Sequence, residues 1–143
     1  MGSPTSPLTT DAHFAMPLRV RYVECDMQGR AFNGHYLTWV DMAHTEALSS
    51  VAGSFGVFSE RGIDFVVVAA ELQFRQPARF NDELIVNVAI QPPGHTSLRS
   101  SYTFNRGTEL IAEATMTHVC VDAVTFAKQP WPDWFRDQLA AHS

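Results

Sequence analysis

The stretch RYVECDMQGRAFNGHYLTWVDMAHTEAL, residues 21–48, changes its periodicity near its middle. Its first residues continue an alternation of apolar and polar side chains, which is typical of a strand. From Gly34 to about Val51 the apolar residues recur at helical spacing and form one face of a predicted helix. A loop with a single carboxylate, Asp26, separates the two patterns. The stretch therefore predicts a strand, a loop and a long helix, with Asp26 close to the start of the helix.

The residues around the predicted helix start favour a chemical role for Asp26. Asn33 is a good N-cap, Gly29 permits a close backbone approach, and Gly34 removes side-chain bulk beside the first N–H groups. These N–H groups and the positive end of the helix dipole can stabilise an oxyanion. A lone aspartate in a loop is more often a turn former. In this context, however, the pattern predicts Asp26 as a base or nucleophile and Asn33 with Gly34 as the oxyanion site.

The rest of the chain predicts an α+β fold with about five antiparallel strands. Residues 17–23 form a first short strand, and residues 63–74 are so apolar that we expect them in the centre of the sheet. Short turns between successive strands favour an antiparallel meander. The long helix is apolar over more than half its circumference, which indicates that it covers the sheet and is deeply buried. The strands predicted after the helix are 63–74, 83–90, 97–106 and 110–122.

Composition restricts the classes of protein to consider. The 143 residues suit one domain, and the net charge of −5 without a basic run argues against a nucleic-acid partner. Residues 1–16 lack the charged and apolar segments of a signal peptide, so we expect a flexible tail followed by one domain over 17–143. No apolar run approaches the roughly 20 residues of a membrane span. We expect a cytoplasmic protein that does not bind membranes.

Sequence motifs for metals and cofactors are missing. Cys25 and Cys120 are too few and too far apart for a disulfide framework or a metal site. The sequence has no phosphate-binding glycine loop, no HExxH and no GxSxG. We therefore expect no metal and no cofactor, which leaves Asp26 as the principal candidate for catalysis.

Several segments together resemble one known family. Arg21 to Asp26 follow the pattern R-[YF]-x-E-x-D, a loop with Gly29 comes next, and Tyr36, ten positions after Asp26, opens the helix. Further on, LQFRQPARFNDEL (72–84) is similar to the strand-to-turn signature of the same family. This order and spacing resembles the hotdog-fold 4-hydroxybenzoyl-CoA thioesterases and YbgC-like acyl-CoA thioesterases. The resemblance covers about residues 17–135.

The resemblance implies a sheet wrapped around a central helix and hydrolysis of an acyl-CoA, with coenzyme A as part of the substrate. It also implies a homodimer or homotetramer with active sites at subunit interfaces. The family's catalytic carboxylate falls on Asp26, and the N–H group that polarises the thioester carbonyl falls at or next to Asn33. Asp26 could activate water or attack the thioester itself. The loop departs from the family's small apolar pattern at Gln28 and Arg30.

Other residues are weaker candidates for substrate binding. Five residues near the helix start or on the helix could contact the acyl group, although core packing or surface exposure is their default role: Phe32, His35, Tyr36, Trp39 and His44. Three arginines could bind the phosphates of coenzyme A from a neighbouring subunit: Arg75, Arg79 and Arg99.

Three alternative functions remain open. The first is a thioesterase acting on acyl-carrier protein, which uses the same chemistry on a protein partner. The second is a hotdog hydratase or dehydratase, in which an acid and a histidine meet across the substrate, as Asp26 and His35 could imitate. The third is a non-catalytic acyl-CoA binding module, which would have no use for Asp26.

Overall fold

The computed structural model describes residues 14–142, which form one five-stranded antiparallel sheet, three α-helices and one short 3-10 helix. The strand order is β1-β3-β4-β5-β2. Within this range no helix is both long and apolar enough to cross a membrane. The elements are β1 (Phe14–Arg19), a 3-10 helix (Tyr22–Glu24), α1 (Gly34–Ala52), α2 (Gly56–Glu60), β2 (Ile63–Phe74), β3 (Glu83–Ile90), β4 (Ser97–Arg106), β5 (Glu109–Asp122) and α3 (Asp133–Ala141).

Helix α1 packs on one face of the sheet and buries its apolar stripe there. Its first turns place Tyr36 and Trp39 against Phe104 of β4, with ring centroids 5.5 and 6.2 Å apart. Alternate residues of β3 and β4 point to the same core because side chains alternate between the faces of a strand. The predicted α+β architecture, with five antiparallel strands and one long helix, is thereby confirmed.

The first strand lies earlier in the chain than predicted. Strand β1 ends at Arg19, and residues 22–24 form a 3-10 helix. The strand ends where the chain turns into this 3-10 helix: the Glu24 N–H donates to the Arg21 carbonyl at 3.0 Å, and the Glu24 side chain accepts the Arg21 N–H at 2.8 Å. Residues 14–16 therefore belong to the domain and not to the predicted tail. The rest of that tail, residues 1–13, lies outside the described residues.

The prediction that residues 63–74 form a central strand is wrong for the single chain. Strand β2 pairs only with β5 and lies at the edge of the sheet. The prediction failed because an apolar run predicts a buried strand but does not fix the position of that strand in the sheet. At this edge Val66, Val67 and Val68 are 38, 49 and 57% exposed.

A polar cluster is buried between α1 and the sheet. The imidazoles of His44 and His118 stack with centroids 3.8 Å apart and planes 2° apart. His44 Nδ1 lies 3.2 Å from the Tyr102 hydroxyl, which lies 2.9 Å from Ser100 Oγ. Burial, and then the neighbouring His118, lowers the pKa of His44 to about 3, and burial lowers the pKa of His118 to about 4. Both rings are therefore neutral near pH 7.

This cluster predicts a loss of stability in mild acid. Unfolded histidines titrate near pH 6.5, above both folded pKa values, so below about pH 6.5 the unfolded chain takes up protons that the folded chain excludes. The free energy of unfolding should fall by about 1.4 kcal/mol per pH unit for each histidine as pH drops from about 6 to about 4. Urea unfolding across this range measures the slope.

His118→Phe keeps an aromatic ring in the stack. It should reduce the change of unfolding free energy with pH by the contribution of one histidine. His95→Gln, at an exposed position, should leave the slope unchanged. An identical slope in His118→Phe and the unmodified protein would contradict the prediction.

Candidate active site

Residues 25–31 form a tight loop that carries Asp26. Cys25 and Ala31 face each other in an antiparallel bridge. Inside this bridge the Asp26 N–H donates to the Arg30 carbonyl at 2.8 Å, and the Gly29 N–H donates to the Asp26 carbonyl at 3.0 Å. Gly29 closes the turn with a φ of 78°, which a residue with a side chain rarely adopts. The loop therefore holds the backbone of Asp26 in a defined place.

The Asp26 carboxylate has one occupied and one free oxygen. Oδ1 accepts the N–H groups of Gln28 at 2.9 Å and Arg30 at 3.2 Å. Among the residues that the structure describes, Oδ2 has no hydrogen-bond donor, and the side chain is exposed. Asp26 is therefore a turn former, and it also presents an oxygen that can meet a water molecule or a substrate.

The start of α1 supplies free backbone donors. The predicted side-chain cap from Asn33 is absent. Instead, a turn that begins at Phe32 leads into the helix. The Phe32 N–H donates to the Glu24 carbonyl at 2.8 Å, and the Phe32 carbonyl accepts the His35 N–H at 3.0 Å. In the described part of the chain, the N–H groups of Asn33 and Gly34 have no acceptor. They are the donors available to an oxyanion.

One open groove of about 360 Å³ brings these groups together. Asp26 and Asn33 both line it, and the buried ring of Tyr36 forms part of its wall. The opposite wall comes from the end of β2 and the residues that follow it, 74–77. The carboxylate and the helix start that the sequence paired thus face the same space.

The other predicted acyl-binding residues lie in different surroundings. Phe32 is exposed beside the helix start, and the His35 ring lies 6.1 Å from the Phe32 ring. Trp39 is fully buried in the core. His44 belongs to the buried histidine stack, eleven positions further along α1 than Asn33. Of the five, Tyr36 is the one that lines the groove of Asp26.

The three arginines predicted for phosphate binding are separated. Arg75 lines the groove, but its guanidinium pairs with Glu113 at 2.7 Å. Arg79 faces Arg30 across an isolated antiparallel bridge. Arg99 lies beside Thr117 on the face of the sheet opposite α1. Within one chain they do not form a single site.

The sequence analysis assigned no role to Glu24, which it included only as part of the motif R-[YF]-x-E-x-D. Its buried carboxylate accepts the Trp39 indole N–H at 2.9 Å and the Arg21 guanidinium at 3.0 Å. Burial acts to raise the pKa of Glu24, but the hydrogen bonds from Arg21 and Trp39 outweigh it and lower that pKa. The Glu24 carbonyl also holds Phe32. Glu24 therefore ties the Asp26 loop to α1, through a Trp39 contact that local sequence patterns do not reveal.

Comparisons with known proteins identify the family of this chain. The family model described as the thioesterase-like superfamily matches residues 20–139. The acyl-CoA thioester hydrolase YbgC of Escherichia coli is 28% identical over 120 residues, which cover 83% of this chain and 90% of YbgC. The 1,4-dihydroxy-2-naphthoyl-CoA hydrolase of Nostoc punctiforme is 26% identical over 115 residues, 80% of this chain and 78% of that protein.

The fold is also shared with solved structures. The 1,4-dihydroxy-2-naphthoyl-CoA thioesterase from Synechocystis matches with a TM-score of 0.80 at 24% identity, over 89% of this chain and 95% of that one. The sheet and helix described above are therefore those of the hotdog fold. With a family match over most of its length, the chain belongs to the thioesterase-like superfamily.

Proposed function

We propose that this protein hydrolyses an acyl-CoA thioester to a free acid and coenzyme A, with Asp26 at the reaction centre. One observation carries the proposal: Asp26, which has a free carboxylate oxygen, and Asn33, which has a free backbone N–H, line the same groove. The names of YbgC and the Nostoc hydrolase support acyl-CoA as the substrate class.

In this proposal the N–H groups of Asn33 and Gly34 bind the thioester carbonyl oxygen. Negative charge grows on that oxygen as the tetrahedral intermediate forms, and fixed donors stabilise it without reorganising. Asp26 either takes a proton from the attacking water or attacks the carbonyl carbon to form an anhydride that water then cleaves. On either route the carbon–sulfur bond breaks and the thiolate leaves. A thiolate is a good leaving group, so the reaction needs no strong general acid.

Replacing Asp26 tests the reaction centre. Asp26→Asn keeps an oxygen that can accept the Gln28 and Arg30 N–H groups but removes the basic carboxylate. We expect kcat to fall at least about a hundredfold, the usual contribution of acid–base catalysis. Thiol release from short, long and aromatic acyl-CoAs, followed with a thiol-reactive dye, measures it and identifies the preferred acyl class.

Asp137→Asn, an exposed change on α3, is the matched control and should keep full activity. Turnover by Asp26→Asn at the rate of this control would overturn the role of Asp26. If the unmodified protein releases thiol from no CoA ester, acyl-carrier protein substrates are the next to test. If acyl-carrier protein substrates are not hydrolysed either, the non-catalytic acyl-CoA binding module is the remaining alternative to test.

A pair of substitutions at Asn33 separates its backbone from its side chain. Asn33→Ala keeps the N–H and loses the amide, whereas Asn33→Pro loses both, and the φ of −54° at this residue suits proline. We expect a change of less than about tenfold in kcat for alanine and a loss of about a hundredfold or more for proline. A loss of about a hundredfold in kcat in both variants would show instead that the amide side chain is the group that acts.

We also propose that the protein works as a homodimer that pairs β2 with β2 of a second copy. A long apolar strand with an unpaired edge readily pairs with another chain. Val66, Val67 and Val68 are exposed along this edge. Residues 74–77, which wall the groove, are the last residue of β2 and the three residues after it. The second copy would therefore lie beside the groove, as an active site at a subunit interface requires.

Val67→Lys tests this assembly. A charge on the strand should block pairing because it would be buried without a partner. Light scattering after size exclusion should give the mass of one chain, and thiol release should fall. Val124→Lys makes the same change at an exposed turn and should preserve both mass and activity. A Val67→Lys protein that keeps the mass of the unmodified assembly would contradict pairing through β2.

A further inference from the structure

Arg30 places an unpaired positive charge in the groove of Asp26. It lines this groove, and the loop fixes its position, since its backbone exchanges hydrogen bonds with Asp26 at 2.8 and 3.2 Å. The guanidinium is exposed and forms no ion pair with Asp26. Across residues 14–142 that guanidinium has no hydrogen bond or ion pair at all, so its charge is available to a ligand.

Four other arginines of the described residues are paired with acids of the same chain. Arg75, the second arginine of this groove, pairs with Glu113 at 2.7 Å and so adds no net charge to it. Arg30 is therefore the cation of the groove that lacks an internal partner. The further arginine–acid pairs are Arg19–Glu83, Arg21–Glu24, Arg106–Asp82 and Arg106–Glu109.

Arg79 adds a second positive charge next to Arg30, which favours a bound anion at this position. Arg30 and Arg79 face each other in an antiparallel bridge. The flanking bonds, from Ala31 N–H to the Ala78 carbonyl at 2.8 Å and from Phe80 N–H to the Gly29 carbonyl at 3.3 Å, make them a non-hydrogen-bonded pair. Side chains approach most closely in such pairs, and like charges directly opposite each other are destabilising.

The Arg79 guanidinium also has no acidic partner in the part of the chain described here. A carboxylate or phosphate bound between the two arginines would remove their repulsion, and each planar guanidinium can bind such an oxyanion through two parallel hydrogen bonds.

The position of Arg30 indicates which part of a thioester supplies the anion. In an acyl-CoA the whole pantetheine arm separates the phosphates from the thioester. Arg30 lies four positions from Asp26 in the same loop and the same groove. An anion that reaches Arg30 while the carbonyl lies at Asp26 is therefore on the acyl half of the substrate.

We propose that Arg30, with Arg79 beside it, binds a carboxylate on the acyl group, so that the enzyme prefers dicarboxylic acyl-CoA thioesters. The proposal rests on the thioesterase function above and names its substrate class. It also gives Arg79 a partner on the acyl group instead of a CoA phosphate. The repulsion between this carboxylate and Asp26 is offset because two cations face the substrate anion.

The test compares glutaryl-CoA with pentanoyl-CoA, which have the same chain length and differ in the terminal carboxylate. We expect the unmodified protein to hydrolyse glutaryl-CoA with a kcat/KM at least about tenfold higher, the worth of one hydrogen-bonded charge pair. In Arg30→Gln this ratio should fall by about tenfold or more. Arg30→Lys should recover only part of it, because an ammonium lacks the guanidinium fork. Arg79→Gln should lower the ratio less.

Lys128→Gln is the control. It also removes one positive charge, but Lys128 lies beside Val121, at the end of the β2–β5 pair that is far from the groove. It should leave the glutaryl-to-pentanoyl ratio unchanged. The same two acyl groups on pantetheine, which lacks the nucleotide phosphates, complete the design. Retention of the glutaryl preference on pantetheine supports the proposal.

Three outcomes overturn it. Equal kcat/KM values for glutaryl-CoA and pentanoyl-CoA in the unmodified protein remove the carboxylate preference but leave the thioesterase function intact. Losses in Arg30→Gln that are equal for both CoA esters and missing for both pantetheine esters assign the arginine to phosphate instead. Hydrolysis of none of the four thioesters overturns the substrate class. The thioesterase function is overturned with it only if the short, long and aromatic acyl-CoAs named above also release no thiol.

Discussion

The buried carboxylate of Glu24 is the constraint on which the site depends. It accepts the indole N–H of Trp39 on α1, and its backbone carbonyl holds Phe32 just before that helix. A carboxylate is costly to bury unless donors surround it, so the fold retains Glu24 only in the position where these bonds are made. The Asp26 loop, which lies between Glu24 and Phe32, therefore reaches the start of α1 in one geometry.

Two opposite charges follow from that geometry. The loop turns its own N–H groups onto Asp26 Oδ1, which leaves Oδ2 without a donor among the described residues, and the same turn exposes Arg30 on the groove. A small apolar side chain at position 30 would leave the carboxylate as the unpaired charge beside the thioester. With arginine there, the groove presents separate partners for a carbonyl carbon and for an anionic substituent. In the two proposals above, hydrolysis and the choice of acyl group thus involve two residues of one loop, Asp26 and Arg30.

The sheet has an exposed apolar strand at one edge and a densely packed centre. Val67 and its neighbours on β2 are exposed although the strand is strongly apolar, which is the pattern of a surface that a second chain buries. In the core, by contrast, His44 and His118 fill space between α1 and β5 as neutral rings. Apolar side chains are therefore exposed on β2, where we propose that a second copy binds. The polar rings of His44 and His118, by contrast, are buried away from solvent.

The sequence by itself determined the helix, the antiparallel strands and the pairing of Asp26 with the start of α1, because all three follow from periodicity and spacing over a few residues. Tertiary structure decided that β2 lies at the edge, that Glu24 meets Trp39, and that Arg30 lies opposite Arg79. Glu24 and Trp39 are 15 positions apart in the sequence, and Arg30 and Arg79 are 49 positions apart. Periodicity reports which faces are buried, but the partner that buries them is set by how the elements pack.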